Sequence, residues 1–370
     1  MSCKVRKEKK QRLKPPVSLI TSPPDDVILD ILARVPRTYY PAISLVSKSF
    51  GKLIASPELY MRRSLLGCTE HCLYVVLYNL DTNEKHLYIL GRKANNNRLV
   101  IIQSFPLKCL YAKYVAVGPK IYVFCELDSF SLDCRSHTVQ SISDIRNPIS
   151  MNNGAVADFI DGKIYVIGEC LCDDEVSGKG KGWRTRVKVY DTETQMWEPE
   201  IAKPKIKPGT MLVDDVVMEN KIYMRHYNIT SVYEPKENKW ELDEMLNSKE
   251  WVGACVIDNE LYYYDKWEKK LRVYDPKQKY WKVVKGLEEL LPLVAGSSGL
   301  PTTTVSYGGK LALFFQKYQY AHAQRNTISI WCAEIALERR QKEIWGKVQW
   351  CDVVLDSEQF TIVKCLAVMV

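Results

Sequence analysis

A short apolar run, usually with a tyrosine in its second place, recurs along most of this 370-residue chain. Each run has three or four residues, and most follow a turn-type dipeptide such as Gly-Lys. The runs are Leu73-Tyr74-Val75-Val76, Ile121-Tyr122-Val123-Phe124, Ile164-Tyr165-Val166-Ile167, Ile222-Tyr223-Met224, Leu261-Tyr262-Tyr263-Tyr264 and Leu311-Ala312-Leu313-Phe314. Continuous apolar segments of this length between turn residues predict strands that are buried on both faces.

A second signature follows three of these runs and places a tryptophan at a fixed distance. It consists of Val-Tyr-acid and then, six positions after the acid, a Trp. The copies are Val189-Tyr190-Asp191 with Trp197, Val232-Tyr233-Glu234 with Trp240, and Val273-Tyr274-Asp275 with Trp281. Turn-type residues lie between the two parts of each copy. The pattern predicts a strand, a hairpin and a return strand, with the Trp as a buried anchor between neighbouring sheets.

The interval between runs predicts a β-propeller for residues 70–370. Successive runs start 48, 43, 58, 39 and 50 residues apart, which is the size of a multi-stranded blade. One blade cannot bury both of its faces, so blades must stack in a ring. Six runs indicate six blades, with five or seven as the alternatives. Residues 365–370 resemble residues 72–77, so we expect the last strand to join the first blade and close the ring.

The preceding segment, residues 17–67, has a helical period instead. A capping-box pattern at Ser22, with Pro23 in the first helical position, predicts a helix that ends at Pro36. Its apolar positions fall on one face: Val27, Ile28, Ile31, Leu32 and Val35. Two more helical stretches follow, the second starting at Ser56. These helices carry more apolar residues than one small core needs, which favours a docking surface for another protein; packing on the chain's own propeller is the alternative.

This helical segment resembles an F-box. The motif residues are Pro23-Pro24-Asp25-Asp26-Val27-Ile28-Leu29-Asp30-Ile31-Leu32, followed later by Leu45-Val46-Ser47-Lys48-Ser49-Phe50. Pro23 stands where the family has Leu, and Ser47 stands where Cys is common. The resemblance implies binding to a Skp-type adaptor through Pro24, Ile28, Ile31, Leu32, Val35, Leu45, Val46, Lys48 and Phe50. Some of these apolar positions must belong to the internal core of the segment.

The repeats after residue 70 resemble degenerate kelch motifs. The family usually has Gly-Gly after the Tyr-containing strand, whereas here Gly168 is followed by Glu169. An F-box followed by degenerate kelch blades is the layout of the plant F-box/kelch-repeat family, and the resemblance covers nearly the whole chain after the first sixteen residues. It implies a small all-α F-box module followed by an all-β kelch-type β-propeller, with six blades expected.

The resemblance also implies a function without catalysis and without a cofactor. The chain would be the substrate-recognition subunit of a Skp-cullin-F-box ubiquitin ligase, with the propeller binding an unknown target protein. Two alternatives stay open at this point: a propeller-based enzyme resembling galactose oxidase, and a kelch scaffold or RNA-associated protein that is not part of a ligase.

The net charge of +8 is concentrated at the N-terminus. The first sixteen residues hold seven Lys or Arg against Glu8, so the rest of the chain is almost balanced. The tail is predicted to be disordered, and a nuclear-import or RNA-touching segment is the alternative. A nearly neutral body lacks the positive field expected of a nucleic-acid-binding domain, so no nucleic-acid partner is predicted for it.

No apolar run approaches the roughly 18 residues of a membrane helix. No hydrophobic region follows the basic N-terminus either, so a signal peptide is not predicted. We therefore expect no membrane association, and a cytoplasmic or nuclear location, or both.

Catalytic and metal-binding motifs are missing from the sequence. The 12 Cys are scattered without a CxxC pair, and there are only 5 His, so no metal site is predicted. The neighbours His226 and Tyr227 are the one weak hint of a copper site. No GxSxG motif, P-loop or GxGxxG fingerprint occurs. Most cysteines are expected to be small buried residues in a reducing compartment.

A long segment between the third run and the strand near Val187 is predicted to be a loop. It includes an acidic cluster, a Gly-Lys run and then Trp183, Arg184 and Arg186. Long loops on rigid scaffolds often carry recognition, and Trp and Arg are typical anchors. These three residues are therefore candidates for target binding, with an unconstrained insertion as the alternative.

Overall fold

A computed structural model divides the chain into two compact units, with the boundary between Cys68 and Thr69. The structure describes residues 23–93, 96–102, 111–126, 128–142, 149–151, 154–173, 181–199, 212–227, 229–296, 300–319, 327–356 and 359–370. The predicted basic tail, residues 1–16, lies outside this part of the chain.

The described part of the first unit is entirely helical. Its elements are α1 (Asp25–Arg34), a 3-10 turn (Arg37–Tyr39), α2 (Tyr40–Ser44), α3 (Lys48–Ile54) and α4 (Pro57–Leu65). The prediction that Pro23 opens the first helix is wrong: α1 has Pro24 as its N-cap. Pro23 precedes a proline, and that position disfavours the helical region. The same rule acts at the other end, where Val35 before Pro36 is extended and α1 stops.

Two serines set the starts of the later helices. Ser47 Oγ accepts a hydrogen bond from Phe50 N at 3.1 Å, and Ser56 Oγ accepts one from Leu59 N at 3.4 Å. The predicted middle helical stretch is therefore two helices, because the Ser47 cap begins α3 only after α2 has ended. The Ser56 start of the last helix is confirmed.

The second unit consists of six four-stranded antiparallel sheets within the described residues, as predicted. From first to fourth strand, blade 1 has β24 (Phe360–Met369), β1 (His71–Asn79), β2 (Glu84–Lys93) and β3 (Asn96–Ile101); blade 2 has β4 (Lys113–Val117), β5 (Lys120–Phe124), β6 (Ser129–Asp133) and β7 (Thr138–Ile142); blade 3 has β8 (Val156–Ile160), β9 (Lys163–Asp173), β10 (Lys181–Asp191) and β11 (Met196–Trp197).

The same order continues in the other three blades. Blade 4 has β12 (Leu212–Met218), β13 (Lys221–His226), β14 (Thr230–Glu234) and β15 (Lys239–Leu242); blade 5 has β16 (Cys255–Ile257), β17 (Glu260–Asp265), β18 (Lys270–Asp275) and β19 (Tyr280–Val283); blade 6 has β20 (Thr303–Tyr307), β21 (Lys310–Gln319), β22 (Thr327–Arg340) and β23 (Glu343–Leu355). Two short helices, α5 (Glu244–Asn247) and α6 (Leu290–Ala295), lie in connections between blades.

Every repeated apolar run occupies the second strand of its blade, which confirms the strand prediction. These strands are buried because both of their faces contact a neighbouring sheet. One core cluster, for example, contains Tyr262 of blade 5 and Leu313 of blade 6. The hydrophobic core of the propeller therefore lies between blades.

The ring is closed by the last strand, as predicted. In blade 1, β24 pairs antiparallel with β1, and Leu73 lies opposite Ala367. Backbone hydrogen bonds of 2.7 and 2.8 Å join Glu70 and Val370 at the end of this ladder. The first strands of neighbouring blades contact one another in a complete cycle, so each blade has two neighbours.

The tryptophan signature has the predicted strand position but not the predicted burial. Trp197, Trp240 and Trp281 lie on the fourth strand, each opposite the Tyr of its own copy. Their ring centroids lie 5.3, 4.8 and 5.0 Å from those of the paired tyrosines. The indoles are only half-buried, because the fourth strand is the outermost one of a blade.

The predicted long loop of blade 3 is mostly a hairpin, so that prediction is wrong. β9 continues past Gly168 to Asp173, and β10 starts at Lys181, with Arg184 opposite Cys170 and Arg186 opposite Gly168. The cross-strand pairing continues without a break, because polar residues are tolerated in a strand that lies towards the outside of a blade. Residues 174–180, with part of the Gly-Lys run, lie outside the described part of the chain.

Candidate functional site

The helical unit exposes many large apolar side chains for its size. Its small core holds Leu32, Ala33, Tyr40 and Leu59. Seven other large apolar residues within positions 23–68 are exposed: Val27, Ile31, Tyr39, Leu45, Val46, Met61 and Leu65. Isolated exposed apolar residues are ordinary, but a set of this density in one small unit is typical of a protein interaction surface.

The most exposed of these residues lie between two helices and near the end of a third. Leu45 and Val46 follow the end of α2 and precede the Ser47 cap of α3, so no helix face covers them. Leu45 is 87% exposed, and Leu65 at the end of α4 is 79% exposed. We call the seven exposed residues the apolar surface of the helical unit.

The structure separates the nine predicted adaptor-binding residues into three groups. Leu32 is only 3% exposed and belongs to the core. Ile28, Val35 and Phe50 are half-buried and pack against that core. The exposed members are Pro24, Ile31, Leu45, Val46 and Lys48. The side chains of this last group are the most accessible to a partner.

Sequence reasoning missed four members of the apolar surface. They are Val27, Tyr39, Met61 and Leu65. The signal was present in part, because Val27 and Ile31, and Met61 and Leu65, are four residues apart and so share a helix face. The spacing does not indicate which face of each helix meets the core, because the contact between α1 and α4 determines that face.

A buried arginine fixes the helices that carry this surface. Arg63 of α4 is 1% exposed, and its Nη1 donates to Ala33 O at 3.1 Å, to Val35 O at 2.9 Å and to Tyr40 Oη at 2.9 Å. Two of these acceptors are carbonyl groups at the C-terminus of α1, where a cation is favourable. Arg63 thereby joins α1, α2 and α4.

The propeller has a cluster of charges on the first strands of its blades. Its members interact electrostatically, and they are Lys364 of β24, Lys113 of β4, Asp158 of β8, and Asp214 and Asp215 of β12. Burial alone would lower the pKa of Lys364, but the attraction of the three carboxylates outweighs it and holds that pKa above its ordinary value. The lysine of the last strand is thus the counter-ion of acids on two other blades.

The carboxylates of this cluster differ in their partners. Burial raises the pKa of Asp158 well above its ordinary value, and the neighbouring Asp215 raises it further. Burial also raises the pKa of Asp214, whose Oδ2 accepts hydrogen bonds from Gly253 N at 2.7 Å and Ala254 N at 3.3 Å. These bonds tie β12 to the connection before β16, so the cluster contributes to holding the ring together.

Histidine and cysteine are not gathered into a site in the part of the chain that the structure describes. His226 is buried with its Nε2 2.8 Å from Ser231 Oγ, whereas its neighbour Tyr227 is exposed. No group of three or more potential metal-ligating side chains occurs among the described residues. Eight cysteines are free thiols and five of these are buried, while Cys125 is disulfide-bonded.

The three predicted target-binding residues lie on strand β10. Arg186 is half-buried and lies opposite Gly168 of β9. The side chains of Trp183 and Arg184 lie outside what the structure describes, although their backbone belongs to β10.

Comparison with known families gives a match to both units. The F-box domain model matches residues 24–62, and the FKB95, Kelch-repeats domain model matches residues 77–355. The chain belongs to the F-box/kelch-repeat family. F-box/kelch-repeat protein At4g38940 of Arabidopsis thaliana is 45% identical over 99% of this chain and 98% of its own length. F-box/kelch-repeat protein At4g39240 of the same plant is 38% identical over 94% of this chain and 90% of its own length.

The F-box/kelch-repeat chain thus has an adaptor-type architecture, in which one unit is a helical F-box and the other a β-propeller. Among its described residues, no helix is both long enough and apolar enough to cross a membrane.

Proposed function

We propose that this F-box/kelch-repeat protein is the substrate-recognition subunit of a Skp-cullin-F-box ubiquitin ligase. The F-box binds a Skp-type adaptor, and through it a cullin, while the propeller binds the protein to be ubiquitinated. The chain is not itself a catalyst and needs no cofactor, because the transfer chemistry belongs to other subunits. It works in the cytoplasm, the nucleus or both.

The observation that carries this proposal is the apolar surface of the helical unit. A partner that covers Leu45, Val46 and Leu65 removes large hydrophobic side chains from water, each of which contributes about 1.5–3 kcal/mol when fully buried. Exposed Lys48 lies at the edge of this surface and suits an acidic group of the partner. Pro24 and Ile31 extend the surface along α1.

Adaptor binding is best tested at residues that do not belong to the core. Leu32 is unsuitable because a charge at a 3% exposed position would unfold the unit. We therefore choose Leu45→Asp with Val46→Asp in the full chain. Loss of two anchors of this kind should weaken binding to a purified plant Skp-type adaptor at least roughly 100-fold.

The matched control is Leu242→Asp, an exposed apolar residue at the end of β15 in the propeller. This variant should bind the adaptor as well as the unchanged protein does. Adaptor binding that survives the Leu45→Asp and Val46→Asp changes would refute the assigned surface. Circular dichroism and the melting temperature of each variant show whether both units stay folded.

Target binding belongs to the propeller in this proposal. Trp183, Arg184 and Arg186 remain the candidate residues, and they lie on the longest hairpin of blade 3. These three residues lie on a strand rather than in a loop, so the pairing of β10 with β9 fixes the backbone that would present them to a target.

A further inference from the structure

One tryptophan of the propeller stands apart from the others by its exposure. Among the eight tryptophans whose side chains the structure describes, only Trp267 is exposed, with 72% of its surface accessible. It lies in the turn between β17 and β18 of blade 5. An indole in this position leaves a large apolar ring in water, and Trp is among the residues that contribute most to binding at protein interfaces.

Hydrogen bonds fix the turn that presents this indole. Oδ1 of buried Asp265 accepts bonds from Trp267 N at 3.1 Å and from Glu268 N at 3.0 Å. Oδ2 of the same carboxylate accepts a bond from Arg272 Nε at 3.0 Å. The ring itself is held by its Nε1, which donates to Glu250 Oε2 at 2.9 Å. A partner that packs on Trp267 therefore restricts little additional motion of this side chain.

The same turn has a positive charge that its own acidic residue does not neutralise. Three of its lysines are exposed and form no ion pair within the described part of the chain: Lys266, Lys269 and Lys270. Lys266 Nζ lies 5.0 Å from the centre of the Trp267 ring. Glu268, the acid of the turn, already contacts Lys249 and Arg272. The turn is thus a basic segment around an exposed aromatic ring, which suits an acidic and apolar partner.

A buried arginine of blade 4 has a donor that is not used. Arg225 lies on the same face of β13 as Tyr223, which packs against blade 5. Its Nη2 donates to Tyr227 O at 3.3 Å, whereas its Nη1 has no hydrogen-bond partner among the described residues. Burial lowers the pKa of this guanidinium, and the attraction of Glu250 opposes that shift. Buried polar groups without a partner are rare in folded proteins, and a bound group often accounts for them.

Contacts between the two blades join this arginine and the turn into one surface. Glu250, which holds the Trp267 ring and attracts Arg225, lies in the connection from β15 to β16. Tyr227 is exposed in the turn between β13 and β14. In an antiparallel blade, the turn between the second and third strands and the connection to the next blade lie at the same end. We call Arg225, Tyr227, Trp267 and the three lysines the blade 4/5 surface.

We propose that the blade 4/5 surface binds an acidic segment of the target protein that also has a large apolar residue. Trp267 and Tyr227 cover the apolar side chain, and the three lysines attract the acidic residues around it. Arg225 adds a positive charge beneath the surface, with one donor, Nη1, that a carboxylate of the segment can use. This inference deepens the target-binding part of the proposed function and rests on it.

The experiment uses the full chain and two fluorescein-labelled ten-residue peptides. One has three Glu around a central Phe, with Gly and Ser elsewhere, and the other has Gln in place of each Glu. In an anisotropy titration the acidic peptide should bind at least roughly tenfold more tightly than the Gln peptide, and more weakly as salt is added.

Trp267→Ala tests the apolar part of the surface. It should weaken binding of the acidic peptide roughly tenfold or more, because the ring supplies the main apolar contact. The matched control is Tyr280→Ala, which removes an exposed aromatic residue at the opposite end of blade 5. This variant should bind the acidic peptide within about twofold of the unchanged protein.

Two further variants separate binding by Arg225 from a structural role. Arg225→Met should weaken binding of the acidic peptide roughly fivefold or more. Its melting temperature should stay the same or rise, because a buried cation with an unused donor stabilises the fold little. Glu250→Gln keeps an acceptor for the indole N–H but removes a negative charge, so it should tighten binding at least about twofold. Arg340→Met, at an exposed position of blade 6, is the control and should change neither property.

Four results would overturn the proposal: no binding of the acidic peptide, equal binding of the Gln peptide, unchanged binding by Trp267→Ala, or tighter binding of a labelled oligothymidylate of about twelve nucleotides. The last result would make the surface a nucleic-acid site instead. A lower melting temperature of Arg225→Met would refute the part assigned to that residue. None of these results bears on the adaptor test at Leu45 and Val46, so the two proposals fail separately.

Discussion

Leu73 in the first strand of the propeller lies directly opposite Ala367 in the last. This pair belongs to a ladder that runs from His71 to Asn79. The ladder joins the first and the last strand of the propeller sequence within blade 1. The ring is therefore closed by hydrogen bonds between its two chain ends rather than by a connection within one blade.

Deleting residues 361–370 should open the ring. Blade 1 would lose its first strand, and β1 and β20 would lose the neighbour that β24 provides. We expect aggregation or loss of the cooperative melting transition, measured by size-exclusion chromatography and differential scanning calorimetry. Val363→Thr, at an exposed position of β24, is the control and should keep the melting temperature. A monomeric deletion variant with an unchanged transition would contradict closure by this strand.

Arg63→Met should unfold the helical unit while the propeller stays intact. The change leaves the carbonyl groups of Ala33 and Val35 without their buried donor, at a cost of roughly 3 kcal/mol or more. Half-buried Arg62, which contacts Asp30 at 2.8 Å, supplies the control: Arg62→Met should cost at most about 1 kcal/mol. Limited proteolysis in the α1–α4 region distinguishes the two variants. Equal protease resistance would argue against a structural role for Arg63.

The Tyr-Trp pairs should stabilise the outer edges of their blades. Trp240→Ala removes a half-buried indole whose ring lies 4.8 Å from that of Tyr233, and it should reduce the free energy of unfolding by about 2–3 kcal/mol. Trp267 is 72% exposed, so Trp267→Ala should cost only about 0.5 kcal/mol. Urea denaturation compares the two. A similar loss in both variants would mean that the pairing contributes little.

Asp158 should make the propeller less stable as the pH rises. The folded protein holds the pKa of this carboxyl above the unfolded value, so the folded state binds its proton more strongly. The contribution of Asp158 to the free energy of unfolding is fully present below the pKa that the carboxyl has in the unfolded state. It is lost as the pH rises through the higher pKa of the folded state. Asp158→Asn keeps a donor towards Asp215 without a titrating group. We expect it to raise the melting temperature at pH 7–8, with the difference shrinking towards pH 4.

Asp161→Asn is the matched control for the pH experiment. Asp161 is exposed and has a positive φ of 47°, which Asn also tolerates. Its melting temperature should follow that of the unchanged protein at every pH. A pH profile of Asp158→Asn that runs parallel to the unchanged protein would count against a raised pKa at Asp158.

The sequence predicted the second strands of the blades well because those strands are buried on both faces. A run such as Leu261-Tyr262-Tyr263-Tyr264 has no polar position and is bounded by turn residues, so few other structures accommodate it. The hairpin of blade 3 gave no such signal. Arg184 and Arg186 lie on a strand near the outside of the ring, where polar and apolar residues are both tolerated and no alternation is required.

The presence of exposed apolar residues on the helical unit could be predicted for the region but not residue by residue. Ile31 and Leu32 are neighbours of similar size and hydropathy, yet one is exposed and the other buried. The difference arises from how α1 packs against α4 and from the hydrogen bonds of Arg63, which join residues about thirty positions apart. Local periodicity contains no information about such contacts.

The closure by β24 has a consequence for how this protein is made. A ribosome adds about 5–20 residues per second, so roughly 15–60 s separate the synthesis of β1 from that of its partner β24. During that time β1 has been synthesised, but its inner edge has no strand to pair with. The propeller thus becomes whole only after translation reaches its final strand, and a nascent chain held by chaperones until then would be protected from pairing with other polypeptides.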